Sequence, residues 1–135
     1  MIYNLVQYLK DNVSPVYSYA INGAHKNTPD NCIIVNETTG IPEKFIDRVN
    51  HTTQIFSRAK SSVTAKEQIQ NVFDKVDRYW DLILPETNIT LEDGSIKIYP
   101  EVLAYQVTPL QKPTWFGYDE NGLAKYVFNL QIITK

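Results

Sequence analysis

Apolar residues along this chain keep first a helical rhythm and then a series of two-residue ones. Ile2, Leu5, Val6, Leu9 and Val13 recur at three- and four-residue spacings, which predicts a helix with one apolar stripe. Ser14-Pro15 ends it, because the residue before a proline is pushed away from helical angles. From Val16 to Ile21 the pattern alternates as a strand does, with Tyr17 and Tyr19 on one face and Val16, Ser18 and Ala20 on the other. Asn22 to Asn31 reads as a polar loop, Cys32 to Val35 as a short buried strand, and the stretch with Thr38, Thr39, Gly40 and Pro42 as another loop. Val49 to Arg58 is rich in Thr, Val, Ile and Phe without glycine or proline, and predicts a strand.

Ser61 and Ser62 close that strand, and Thr64 with Glu67 forms a Thr-x-x-Glu capping pattern. Behind it Ala65, Ile69, Val72, Phe73, Val76 and Trp80 predict a second helix near residues 64–80, stopped by Pro85. The last third predicts antiparallel sheet. Asn88 to Glu92 and Ser95 to Tyr99 flank Asp93-Gly94, a strong hairpin signal. Val102 to Thr108 is expected to put Leu103, Tyr105 and Val107 on one face and Ala104, Gln106 and Thr108 on the other. After a tight turn at Asp119 to Gly122, Tyr126, Phe128, Leu130 and Ile132 alternate with Val127, Asn129 and Gln131. One sheet face is then apolar and the other wetter. The expectation is one α+β domain over 1–135, two helices packed on a mostly antiparallel sheet.

Composition narrows the chemistry. At 135 residues and 43% apolar, the chain is long and greasy enough to bury a core. A single Cys32 excludes an internal disulfide and any multi-cysteine metal site. His25 and His51 have no pattern of metal ligands around them, and no nucleophile elbow, phosphate loop or His-Glu-x-x-His pair occurs. Glu92-Asp93 and Asp119-Glu120 sit at turn tips and read as solvated turn residues. No catalytic residue, metal or cofactor is therefore expected. The net charge of −2 argues against a basic face for duplex DNA. No apolar run approaches the roughly 20 residues needed to cross a bilayer, and the polar residues in the opening segment are wrong for a signal peptide. Synthesis in the cytoplasm without membrane association is expected. Nine Tyr, five Phe and two Trp favour half-wet surfaces, including protein interfaces.

Two stretches together carry a family likeness. One is Gln54-Ile55-Phe56-Ser57-Arg58-Ala59-Lys60-Ser61 running into the second helix. The other is Gln111 to Gly122, with Pro113, Trp115-Phe116-Gly117-Tyr118 and Asp119-Glu120-Asn121-Gly122, followed by the alternating strand through Asn129. This order resembles the minor capsid or tail terminator family of long-tailed bacteriophages. Arg58 matches the family's strand-end arginine, and Gly117, Asp119, Glu120 and Gly122 match its turn. Leu123 stands where a basic residue is more usual. The resemblance implies a structural virion protein without catalytic residues. It also implies a ring, expected to be a homohexamer, that caps the tail tube. Its partners would be other copies of itself, the major tail tube protein and a neck, stopper or head-completion protein. Genomic DNA would pass through the lumen without specific binding.

Other readings compete with that one. A neighbouring neck or tube component shares size and assembly logic. A small enzyme is disfavoured by the missing reactive constellation, and a single-strand nucleic-acid module, for which Arg58, Lys60, Tyr17 and Tyr19 would be the contacts, by the acidic balance. The candidate interface residues are Arg58, Trp115, Tyr118, Asp119 and Glu120, because aromatics beside a charged turn are the composition of interface hot spots. They are expected to act in assembly more than in folding. Burial of Trp115 or Phe116 in the domain core is the equally weighted alternative.

Overall fold

The structure, a computed structural model, describes residues 1–42 and 48–135. The chain runs α1 (Ile2–Asn12), β1 (Tyr19–Ile21), β2 (Cys32–Pro42), β3 (Val49–Ala59), α2 (Ser62–Asp74), β4 (Tyr79–Leu84), β5 (Thr87–Thr90), β6 (Ile96–Tyr99), β7 (Val102–Pro109), β8 (Thr114–Tyr118) and β9 (Ala124–Thr134). Seven strands form one sheet in the order β1-β2-β3-β9-β7-β4, with β8 also on β9. All pairings are antiparallel except β1 with β2. The α+β class with two helices on a mostly antiparallel sheet is what the apolar pattern predicted.

β9 organises this sheet. Along one side it pairs with β3 from Val49↔Thr134 to Ala59↔Ala124. Its other side is shared, β8 taking Ala124 to Val127 and β7 taking Leu130 to Thr134. Alternation sends Phe128, Leu130 and Ile132 to one face with Ile33, Val35 and Ile55, where they meet Leu5 and Leu9 of α1 and Ile69 and Val72 of α2 in a single core. Both helices lie on that face. The opposite face carries a small cluster of Ala20, Cys32, Ile34 and Phe56, then polar cross-strand pairs such as Gln54↔Asn129 and Thr52↔Gln131.

Several boundaries differ from the sequence expectation, each for a local reason. β1 is only Tyr19–Ile21, since Val16 stands in solvent. β2 runs through the expected loop to Pro42 by taking up a bulge between Glu37 and Gly40 against β3. The cap of α2 is Ser61, whose Oγ accepts the Thr64 N–H at 3.2 Å, so the Thr64/Glu67 box is not used. The helix stops at Asp74. Trp80, four residues beyond Val76 and so on the helical period, belongs instead to β4 and points outward. Strand pairing with β7 has overridden the local pattern. In β7 a bulge at Tyr105 shifts the alternation by one, so Ala104 and Val107 both face the core, where Leu103, Tyr105 and Val107 were expected to share a face.

β4 and β7 continue beyond the sheet as β5 and β6. Leu84 pairs with Val102, and three residues on Thr87 pairs with Tyr99. The break falls at Pro85 and Pro100, which have no N–H for the ladder. Residues 79–109 thus form one long ribbon, kinked at two prolines, whose outer half is a two-stranded arm ending in a turn at Gly94 (φ 86°). A lone hairpin is marginal in water, and α1 holds the base of this one. Asn4, 1% exposed, donates its amide hydrogens to the carbonyls of Pro85 and Pro100 at 2.9 Å and Tyr99 at 3.2 Å. Tyr3 stacks on Tyr99 with ring centroids 4.7 Å apart. Asn4→Ala is expected to reduce stability by about 1–3 kcal/mol, the range for stranding buried carbonyls. Amide exchange between Thr87 and Tyr99 should accelerate while β3 and β9 stay protected, and an exchange map unchanged in the arm contradicts this anchoring.

Candidate functional site

β8 is an edge strand, bonded to β9 and to nothing on its other side among the described residues. Natural proteins usually blunt such edges with charge, shortness or bulges. This one is five residues long and contains a bulge between Trp115 and Gly117, where Gly117 adopts φ 120°. The pleat sends Trp115 and Phe116 to opposite faces, and the extra residue of the bulge returns Tyr118 to the side of Trp115. Trp115 packs edge-on against Tyr126 at 5.2 Å and Tyr118 at 5.1 Å on the helix-bearing side. Phe116 meets Phe56 edge-to-face at 5.0 Å on the other, and the Lys125 ammonium stands 4.3 Å from the Phe56 centroid. Trp115 remains 43% exposed, Phe116 59% and Tyr118 66%, so neither Trp115 nor Phe116 is a core residue.

The turn joining β8 to β9 is built by Asp119. Its Oδ1 accepts the N–H groups of Asn121 and Leu123, both at 2.9 Å, and Gly122 adopts φ 77°. Leu123 lies nearly buried behind the turn. Glu120 stands exposed at the tip. Asp119 and Glu120 border a groove of about 410 Å3 with Phe56, Arg58 and Lys125, closed on the far side by the loop from Gly23 to Lys26.

Arg58 sits apart from the exposed aromatics. At 9% exposure its guanidinium donates to the carbonyls of Thr28, Pro29 and Asp30 at 3.3, 2.7 and 3.2 Å, drawing the 22–31 loop against the sheet. The five candidates thus divide: Trp115, Tyr118, Asp119 and Glu120 share one hairpin, while Arg58 meets Asp119 and Glu120 only across the groove. Arg58 and Asp119 each have a folding role as well as any role in assembly. The three carbonyl contacts of Arg58 were not legible in the sequence because they come from a loop about 30 residues away.

The remaining reactive side chains are ordinary. Cys32 is free and fully buried, and burial pushes its thiol pKa up while Arg58 pulls it the other way. His51 bonds Thr134 at 3.0 Å in β3, and burial holds its pKa below the usual histidine value. His25 accepts the Asn27 N–H in the polar loop. Among the described residues no group of three His, Cys, Asp or Glu is placed to hold a metal ion, and no helix is long and apolar enough to cross a membrane.

A second exposed surface escaped the sequence reading. On the ribbon, Trp80↔Gln106 and Ile83↔Leu103 point away from the core, and Ile96 and Ile98 point away from α1 on the arm. The signal for it was the pair of prolines, Pro85 and Pro100, on consecutive rungs between Leu84↔Val102 and Thr87↔Tyr99, which marks where a hairpin leaves its sheet.

Arg58→Ala is expected to destabilise the free chain by about 1–3 kcal/mol, since three carbonyls lose a charged donor. Glu120→Ala, at an exposed tip, should stay within about 0.5 kcal/mol. Denaturant midpoints of the two variants check this, and equal, negligible shifts contradict the loop-holding role. In comparison with known proteins, the chain matches the family model described as bacteriophage tail terminator protein over residues 8–135, and no curated protein matches it. With that match spanning nearly its whole length and the fold as described, the chain belongs to the bacteriophage tail terminator family.

Proposed function

We propose that this protein is a non-enzymatic virion component that closes into a ring on the end of the tail tube, ends tube growth and offers its other ring face to the neck, joining tail to head. The observation that carries the reading is the family match, and the exposed aromatic edge of β8 gives it a physical means. A contact between dissimilar patches on identical subunits either closes or grows without end. A terminator must close, and it needs separate faces for tube and neck. The ring is hexameric in this reading, its partners being further copies, the major tail tube protein and a neck or stopper protein. Trp115, Tyr118, Asp119 and Glu120 contribute to contacts between these parts.

DNA passes through such a ring and must not be held. A net charge of −2 suits that role, because tight binding to duplex needs several phosphate-neutralising cations on one surface. The expected outcome is a closed ring in particle images of the concentrated protein or of tails carrying it. Labelled duplex and single-stranded oligonucleotides should show only weak binding that collapses between 50 and 200 mM salt, the behaviour of non-specific phosphate contacts. A chain monomeric in both settings, or tight salt-resistant DNA binding, overturns the reading.

A further inference from the structure

We propose that the ribbon from Tyr79 to Pro109 is the arm by which one copy of this chain grips the next. Its outward stripe of Trp80, Ile83, Leu103, Ile98 and Ile96 packs on the β8–β9 hairpin of a second copy around Trp115 and Phe116. The proposal rests on the ring reading above and supplies its contact.

The stripe is the first argument. Its five large apolar side chains are between 43% and 71% exposed and lie along one ribbon. In two patches, Trp80 with Ile83 and Leu103 on the sheet half and Ile96 with Ile98 on the arm, they offer apolar surface on the order of 600 Å2. It approaches the roughly 800 Å2 that each partner contributes to a standard interface.

Charge narrows the choice of occupant. Residues 79–109 hold five carboxylates, Asp81, Glu86, Glu92, Asp93 and Glu101, against one cation, Lys97, so the ribbon is −4. The whole chain is −2, which leaves the remainder at +2. A symmetric pairing of two ribbons would set −4 against −4 and is disfavoured. The β8–β9 hairpin of a second copy offers no such repulsion, since over residues 110–127 Lys112 and Lys125 balance Asp119 and Glu120. Lys125 stands beside its aromatics, with the ammonium 4.3 Å from the Phe56 centroid and 5.4 Å from that of Phe116.

Position agrees with charge. β8 pairs with the start of β9, whereas the ribbon joins the end of β9 and its arm continues past Thr134. The two surfaces lie toward opposite ends of the molecule, as a head-to-tail contact requires.

The test uses two variants of the full chain. In the arm variant Ile96→Asp and Ile98→Asp add charge to the stripe, and in the hairpin variant Lys112→Glu and Trp115→Ser remove the acceptor. Melting curves confirm that each remains folded; should the hairpin variant fail to fold, Lys112→Glu alone replaces it. Mass is read by native mass spectrometry at a concentration where the wild type is a ring, and in images of tails. Each variant alone is expected to be monomeric, with association weakened at least tenfold, while an equimolar mixture gives dimers and nothing larger, because each pair keeps one intact contact. Arm variants that form complete rings overturn the arm and leave the ring standing, also if those rings no longer seat on the tube. Loss of assembly without dimers in the mixture likewise overturns the pairing. A wild-type chain monomeric in solution and absent as a ring from tails overturns both.

Discussion

The eleven-residue pairing of β3 with β9 is the contact from which the other elements take their places. It aligns Ile55 with Phe128 and Thr53 with Leu130 on one face, and a strand of period two leaves no choice about which side the neighbours must bury. Both helices therefore pack on that face, and with both of them there the other face has no helix to cover it. Among the described residues, the 22–31 loop, tied down by Arg58, is what reaches over its apolar end. β9 also sets the two edges that matter for association. Sharing its second side between β8 and β7 leaves β8 as a short exposed edge and lets the β4–β7 ribbon run past the sheet.

Much of this was legible from local pattern. The α1 stripe, the alternation of β9 and the two hairpin turns depend on residues within a few positions of one another, where periodicity and turn chemistry are strong. Long-range competition decided what was missed. Val72, Val76 and Trp80 keep helical spacing, yet the partner that makes Trp80 part of a strand is Gln106 in β7. The bulge at Tyr105 arises from matching β7 to β9, and no residue in Val102 to Thr108 announces it. Likewise Ser61 displaced Thr64 as cap because β3 delivers the chain to the helix only there. In the candidate surface, the aromatic hairpin could be read from composition and turn residues. The burial of Arg58 could not, since its acceptors are backbone carbonyls of any sequence.

A ring subunit of the kind proposed needs surfaces sticky enough to assemble and guarded enough to stay apart beforehand. The ribbon meets both demands by interleaving apolar stripe residues with carboxylates, which remain soluble in the free chain and repel a like surface. Asn4 keeps the arm extended while leaving its outer side free. Cost on folding is thereby separated from gain on assembly: residues under α1 and α2 hold the monomer, and residues on the ribbon and β8 are available for contact between copies.

The two tryptophans make that division directly measurable, since Trp80 lies on the ribbon and Trp115 on the hairpin proposed to receive it. Acrylamide quenching of tryptophan emission, recorded for Trp80→Phe and Trp115→Phe so that each reports alone, compares the dilute chain with the ring. The account predicts that both are readily quenched when the chain is free and that both become protected, with emission shifted to the blue, over the same concentration range. A ring in which both tryptophans stay as quenchable as in the free chain would contradict it.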